Sequence, residues 1–296
     1  MTLIDLTVQF SSEERCRELL ERLRWPNGPI CSRCGDSAVR LEGRTKLLYC
    51  KKCDYQFSVT TGTIFHDSHL PLIKWFTTTL LMCEAKKGIS ALQVKRTVGM
   101  AYKTAWYLCH RIRKAMNEAN RELLNGTVEV DETFVGGKQR GQGQGIRDNK
   151  EVVIGIRQRG GELRFFHAAD ATSGTLARYI KENIDKDLDV IITDEWSAYP
   201  KAMMEAGVHG SRHKTIRHKD KIYVQGEIHT NTVESAFSLL KRGIIGTWHQ
   251  MSAKHLAAYL EEMTFRFNRR NRSDLFLDTL RHMVTADPLT FEDLTA

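Results

Sequence analysis

The sequence predicts an α/β fold built on a mixed sheet with flanking helices, preceded by a small metal-bound ribbon and a helical region. Three observations carry this. Apolar residues recur at about 3.6 positions from 70 to 124 and alternate in twos just beyond it. Two short apolar strands carry acids, Val128-Glu129-Val130-Asp131-Glu132 and Val190-Ile191-Ile192-Thr193-Asp194-Glu195. Two Cys-x-x-Cys pairs stand within the first 60 residues.

A chain of 296 residues accommodates two or more domains of ordinary size. Hydrophobic residues at 41% and charged residues at 27% exclude a disordered chain. No apolar run approaches the ~20 residues that span a bilayer, and the start has no basic leader or cleavage site, so a cytoplasmic, membrane-free protein is expected. A net charge of +8 favours a polyanionic partner, nucleic acid first. The cations cluster at 111–114, 138–147, 212–221 and 266–272, on either side of the acids.

Taken in order, Ser11-x-x-Glu14 reads as a capping box for a short amphipathic helix that ends near Trp25-Pro26-Asn27-Gly28. Cys31, Cys34, Cys50 and Cys53 follow, with strand-like runs between the pairs. Two residues between cysteines let both thiolates reach one tetrahedral ion, and Gly35 supplies the positive φ at which the knuckle turns back. Four thiolates close the shell, so one structural zinc is expected and a catalytic zinc is not. Cys16, Cys83 and Cys109 read as small buried hydrophobes.

Between 70 and 124 three helices are expected, the last two around Val98-Gly99-Met100. They form a helical hairpin that either reads DNA as a helix-turn-helix or only packs. Its second helix would offer Lys103, Tyr107, Arg111 and Lys114. Beyond Asn125-Gly126, strands are expected at 127–135, 151–156 and 162–166, then a helix at 173–184, a strand at 190–193, a short αβ step ending in a strand at 215–218, and a helix at 232–242. That order is the RNase H-like one. The predicted division is 1–68 for the first helix and ribbon, 69–124 for the helical region, 125–272 for the RNase H-like domain and 273–296 for a helical tail.

Asp131 lies within one strand and Asp194 ends another. If the strands are neighbours, the two carboxylates can share hard cations such as Mg²⁺ or Mn²⁺. On the closing helix Asn231, Glu234, Ser238 and Lys241 share one face beside a buried stripe of Val233, Phe237 and Leu240. The same spacing also describes Asn231-x-x-Glu234 as a plain capping box, with Asp131 and Asp194 as turn formers. Alternation places Glu129 on the face of Asp131 and Glu132 on the other, and Glu129, Glu132 and Glu195 could substitute in the site. Lys241 and Arg242, two turns past Glu234, could meet a phosphate. His229, His249 and His255 read as structural.

Together, Trp25-Pro26-Asn27-Gly28, the cysteine knuckles, Gln56-Phe57-Ser58-Val59-Thr60-Thr61-Gly62-Thr63, Val130-Asp131-Glu132-Thr133-Phe134-Val135-Gly136-Gly137-Lys138, Thr193-Asp194-Glu195 and His229-Thr230-Asn231-x-x-Glu234 resemble the ISXO-like insertion-sequence transposases, from about residue 20 to Arg272. The resemblance implies a bacterial DDE-type enzyme that works in the cytoplasm and is nucleoid-associated when bound to DNA. It would bind the inverted ends of its own element, cleave them and join the 3′ strands to target DNA, with catalytic Mg²⁺ or Mn²⁺, two ions, at Asp131, Asp194 and Glu234 or Asn231. It also implies double-stranded DNA as partner, a homo-oligomer on that DNA, and contacts from Lys241, Arg242, Arg269 and Arg270. Phe237 replaces the Trp of many relatives, which should alter packing and not activity. A DNA-binding regulator without catalysis, or a nuclease without strand transfer, are the alternatives.

Overall fold

The computed structural model describes residues 1–43, 46–118, 121–136, 150–216, 226–249 and 251–296. The expected Gly- and Gln-rich loop at 136–148, with its cations from Lys138 to Arg147, lies almost wholly outside them, as does the basic stretch beyond 216 up to Lys221. The chain forms two units, one of 1–117 with 269–296 and one of 118–268.

The first unit holds α1 (Leu3–Gln9), α2 (Glu13–Arg24), the ribbon strands β1 (Val39–Arg40), β2 (Leu48–Cys50) and β3 (Tyr55–Phe57), then α3 (Leu72–Glu84), α4 (Ala91–Val98) and α5 (Tyr102–Ala115). Helices α10 (Leu275–Thr285) and α11 (Phe291–Thr295) also belong to this unit. Ser12, one residue later than expected, caps α2 by accepting the Arg15 N–H. Glu13 instead places its carboxylate on the Leu72 and Ile73 N–H groups that open α3. Phe76 packs edge-on against Phe10 and Phe276, which joins α1, α3 and α10 in one core. Helix α4 starts at its Ser90 cap and stops at Gly99, whose φ of 70° ends the helix in the left-handed region.

The second unit is a five-stranded sheet in the order β6-β5-β4-β7-β8. Its strands are β4 (Thr127–Val135), β5 (Glu151–Gln158), β6 (Leu163–Ala168), β7 (Val190–Thr193) and β8 (His213–Thr215). The first three run antiparallel, while β7 joins β4 and β8 joins β7 in parallel. Strand β8 begins two residues before the expected 215–218, where pairing with β7 starts at Ile191↔His213, and the last two expected residues lie outside the described ones.

Both faces of the sheet are covered. Val128, Val130, Val152, Ile154 and Ile156 pack under α6 (Ser173–Asn183) and α7 (Ala198–Ala206). Val153 and Phe165 pack under α8 (Asn231–Gly243) and α9 (Ala253–Asn268). The period-2 alternation of β5 therefore feeds two cores at once. Its order of elements is the RNase H-like one expected. No helix among the described residues is long and apolar enough to cross a membrane.

Candidate functional site

Parallel pairing of β4 with β7 runs from Thr127↔Val190 to Glu129↔Ile192. Two residues further along each chain stand Asp131 and Asp194. The condition set by the sequence is met: the strands are neighbours, and the two aspartates sit side by side where β7 ends.

Glu132 joins them. One carboxylate oxygen from each of Asp131, Glu132 and Asp194 lies within 4.8 Å of the others. Alternation does turn Glu132 toward α7, where the Tyr199 hydroxyl donates to its Oε2 at 2.7 Å. Among the described residues the pairing of β4 with β7 stops at Glu129. Glu132 therefore lies on the expected opposite side, toward Tyr199, and still brings an oxygen to the two aspartates, as the reading of it as a possible substitute allowed. Asp194 is set by the Trp196 N–H, which donates to its Oδ1 at 2.9 Å.

Burial pushes the Asp131 carboxyl up to about 8, with the charges of Glu132, Asp194 and Glu234 acting in the same sense and a hydrogen bond from the Glu132 N–H opposing them. Crowded, half-buried hard oxygen donors of this kind fit a divalent cation, which would relieve the repulsion.

Glu234 approaches from α8. It stands outside the 4.8 Å group, yet its charge is felt at Asp131. It is half-buried, and the Thr230 hydroxyl donates to its Oε1 at 2.6 Å. Asn231 is exposed at the first position of α8 and caps nothing through its side chain. The capping-box reading fails for a specific reason, which is that another residue performs the task. Glu129, fully buried, accepts from the Thr232 N–H and hydroxyl and the Val233 N–H at 2.7 to 3.0 Å. Its other oxygen accepts from Arg159 Nε at 2.8 Å, and Arg159 also binds the carbonyls of Glu227 and His229. Glu129 is therefore a fixture of α8 and no substitute ligand. Its role was not legible in sequence, because 103 positions separate Glu129 from Thr232.

Gly155 pairs with Asp131 across β4 and β5. A Cβ at Gly155 would come within 2.6 Å of the Phe237 ring and 2.9 Å of Val233. Its bare backbone lets α8 press against the sheet beside the acids. Phe237 stacks on Phe165 at 5.2 Å between centroids. Lys241 and Arg242 are exposed on the last turn of α8.

In the ribbon the four sulfurs also lie within 4.8 Å of one another, with Cys31 and Cys53 at 3.6 Å and Cys34 and Cys50 at 3.5 Å. A tetrahedron with Zn–S of about 2.3 Å has edges near 3.8 Å, so the donor set fits zinc. Gly35 has the expected positive φ of 74°, and Asp54 takes the matching place after the second pair at 53°. Burial acts to raise the Cys31 thiol, but the N–H groups of Arg33 and Cys34 outweigh it and bring it down to about 7.

The expected DNA-reading face of α5 is occupied differently. Arg111 is buried, donates to the His66 carbonyl and lies over the Trp75 ring, so it is not presented at the surface. Lys103 lies over Phe291, while Tyr107 and Lys114 donate to the carbonyls of Leu289 and Pro288. Arg269 is ion-paired to Asp278 at 2.7 Å, whereas Arg270 is exposed.

Comparison with known proteins agrees with this anatomy. Residues 123–268 match the ISXO2-like transposase domain, and residues 11–56 match the transposase zinc-ribbon domain. A Halobacterium salinarum protein described as an uncharacterized protein in transposable element ISH50 is 29% identical over 276 residues, which covers 87% of this chain and 91% of the relative. A chain from the cryoEM structure of the simian T-cell lymphotropic virus intasome with PP2A regulatory subunit B56 gamma aligns over 72% of this chain and 68% of its own. Its identity of 14% and TM-score of 0.26 are too low to define the fold.

Proposed function

The chain belongs to the ISXO2-like transposase family, with that domain at 123–268 and a transposase zinc ribbon at 11–56, and from this premise we propose that it cleaves the ends of an insertion sequence and joins the 3′ strands to target DNA. The observation that carries the proposal is the meeting of Asp131, Glu132 and Asp194 at the end of β7, with Glu234 facing Asp131 from α8.

Asp131 and Asp194 would hold the divalent cations, with Glu234 as the third acid in preference to the exposed Asn231. Bound Mg²⁺ or Mn²⁺ would activate the attacking oxygen and stabilise the leaving oxygen of an in-line displacement at phosphorus. Glu132, held by Tyr199, adds negative charge to the same spot and orients through its N–H the Asp131 carboxylate. Glu129 and Thr230 fix the start of α8 and so the approach of Glu234. Lys241 and Arg242 neutralise flanking phosphates of the same strand, and in the other unit Lys103, Lys114 and Arg270 offer exposed cations to duplex DNA. Cys31, Cys34, Cys50 and Cys53 would hold a zinc ion whose closed shell of thiolates would leave it a structural role. Two ends must be joined in one event, so the working species is at least a dimer on DNA.

The deciding experiment is strand transfer with Mg²⁺ on a fragment bearing the element's ends, using wild type, Asp131→Ala, Asp194→Ala and Glu234→Ala. Cleavage and joining by wild type, lost in all three variants while DNA binding persists, is the expected outcome. Cleavage without joining would reassign the chain as a nuclease, and binding without either as a regulator. Full activity in Asp131→Ala or Asp194→Ala would sink the reading.

A further inference from the structure

A cavity of about 350 Å³ opens in the first unit between α2, the segment that leaves the ribbon, and the start of α3. Arg17 forms part of its wall. This arginine is only 9% exposed, yet it makes no hydrogen bond and no ion pair among the described residues. Its stem is buried while its unbonded nitrogens still reach solvent, so the guanidinium fork is open to a group that is not part of the chain.

Two nearby acids are engaged elsewhere, while Glu14, Glu18 and Glu21 line a smaller cavity that Arg17 also borders. Glu13, one turn earlier and in the same wall, has both carboxylate oxygens on the N–H groups of Leu72 and Ile73 at 3.0 and 3.3 Å. Glu21, one turn later, is held by Arg40. Lys46 and His69 also line the cavity, and Ser58 and Thr60 add two hydroxyls that bond each other at 2.8 Å. The buried Phe65 and Trp75 close the apolar back, where a low dielectric strengthens any charge pairing.

We propose that this cavity binds a phosphate group. A guanidinium fork matches two phosphate oxygens, a lysine adds a point charge, and rotatable hydroxyls donate to the remaining oxygen. Its source would be the backbone of double-stranded DNA, and that part rests on the function proposed above; the phosphate chemistry does not.

The test uses the full-length, zinc-loaded protein without Mg²⁺. Calorimetry with inorganic phosphate reads the cavity, and anisotropy of a labelled duplex across salt concentrations reads the source. In Arg17→Met phosphate binding is lost, duplex affinity falls about tenfold, and the salt slope drops by about one. Lys46→Gln, at an exposed position, shows the same loss in smaller degree and tests the site even where Arg17→Met fails to fold. Arg17→Lys recovers part of the affinity. Loss of phosphate binding with unaltered duplex affinity identifies a free phosphate or nucleotide as the occupant and still supports the cavity. Absence of phosphate binding in wild type, or unchanged phosphate and duplex binding in both Arg17→Met and Lys46→Gln, overturns it. A protein that binds phosphate at Arg17 but never cleaves DNA refutes only the proposed function.

Discussion

The carboxylate of Glu129 accepts the backbone N–H of Val233 at 3.0 Å, so a strand residue two positions before Asp131 caps the helix that carries Glu234. One buried acid thus sets the distance between two others. Removal of Glu129 takes from Arg159 its buried ion pair and strands three donors on α8. Glu129→Ala is expected to cost about 3–5 kcal/mol, with Glu129→Gln milder because an amide oxygen still accepts. Urea unfolding checks this, and a loss below about 0.5 kcal/mol would show that α8 is held by its apolar stripe alone.

Gly155 offers a second handle on the same helix. Gly155→Ala drives a methyl into Phe237 and is expected to destabilise by about 1–3 kcal/mol. Phe237→Leu in the same chain should return part of that loss. Additive losses in the double variant would disprove the contact as the cause.

The Asp131 carboxyl makes stability depend on pH in a definite sense. Its value is 3.8 in the ordinary state and about 8 in the fold. Between these values the folded chain retains a proton that the unfolded chain has lost, so the contribution of this residue to metal-free stability falls as pH rises from about 4 to about 8. Asp131→Asn removes that fall and should raise the melting temperature at pH 8 but hardly at pH 4. Mg²⁺ binds the ionised form, so it should stabilise wild type most at and above pH 8 and leave Asp131→Asn unmoved. Equal melting curves of the two proteins at pH 8 would contradict the placement of this charge.

Zinc content gives a separate readout. The wild-type chain should carry one zinc, released with a dithiol-reactive mercurial and counted with a colorimetric chelator. Cys34→Ser should lose it and open the ribbon to proteolysis near β2, whereas Cys16→Ala should keep it. Retention of stoichiometric zinc in Cys34→Ser would mean that the four sulfurs are not one site.

Sequence alone determined those features whose causes are local. Alternation marked β4 at its observed ends, a short β-branched run marked β7, and the Cys-x-x-Cys spacing with Gly35 marked a metal knuckle. Asp131 and Asp194 were legible because each sits at a recognisable place on a strand. Tertiary structure decided what depends on partners far along the chain. Pairing of β4 with β7 brought Asp131 beside Asp194, and Glu132 joined them while held by Tyr199. Capping of α8 passed from Asn231 to Glu129, because a buried carboxylate opposite a helix start satisfies N–H donors that no local side chain reached. Burial of Arg111 and the pairing of Arg269 likewise came from packing, since a pattern of cations along a chain shows charge but not which side of a helix meets water.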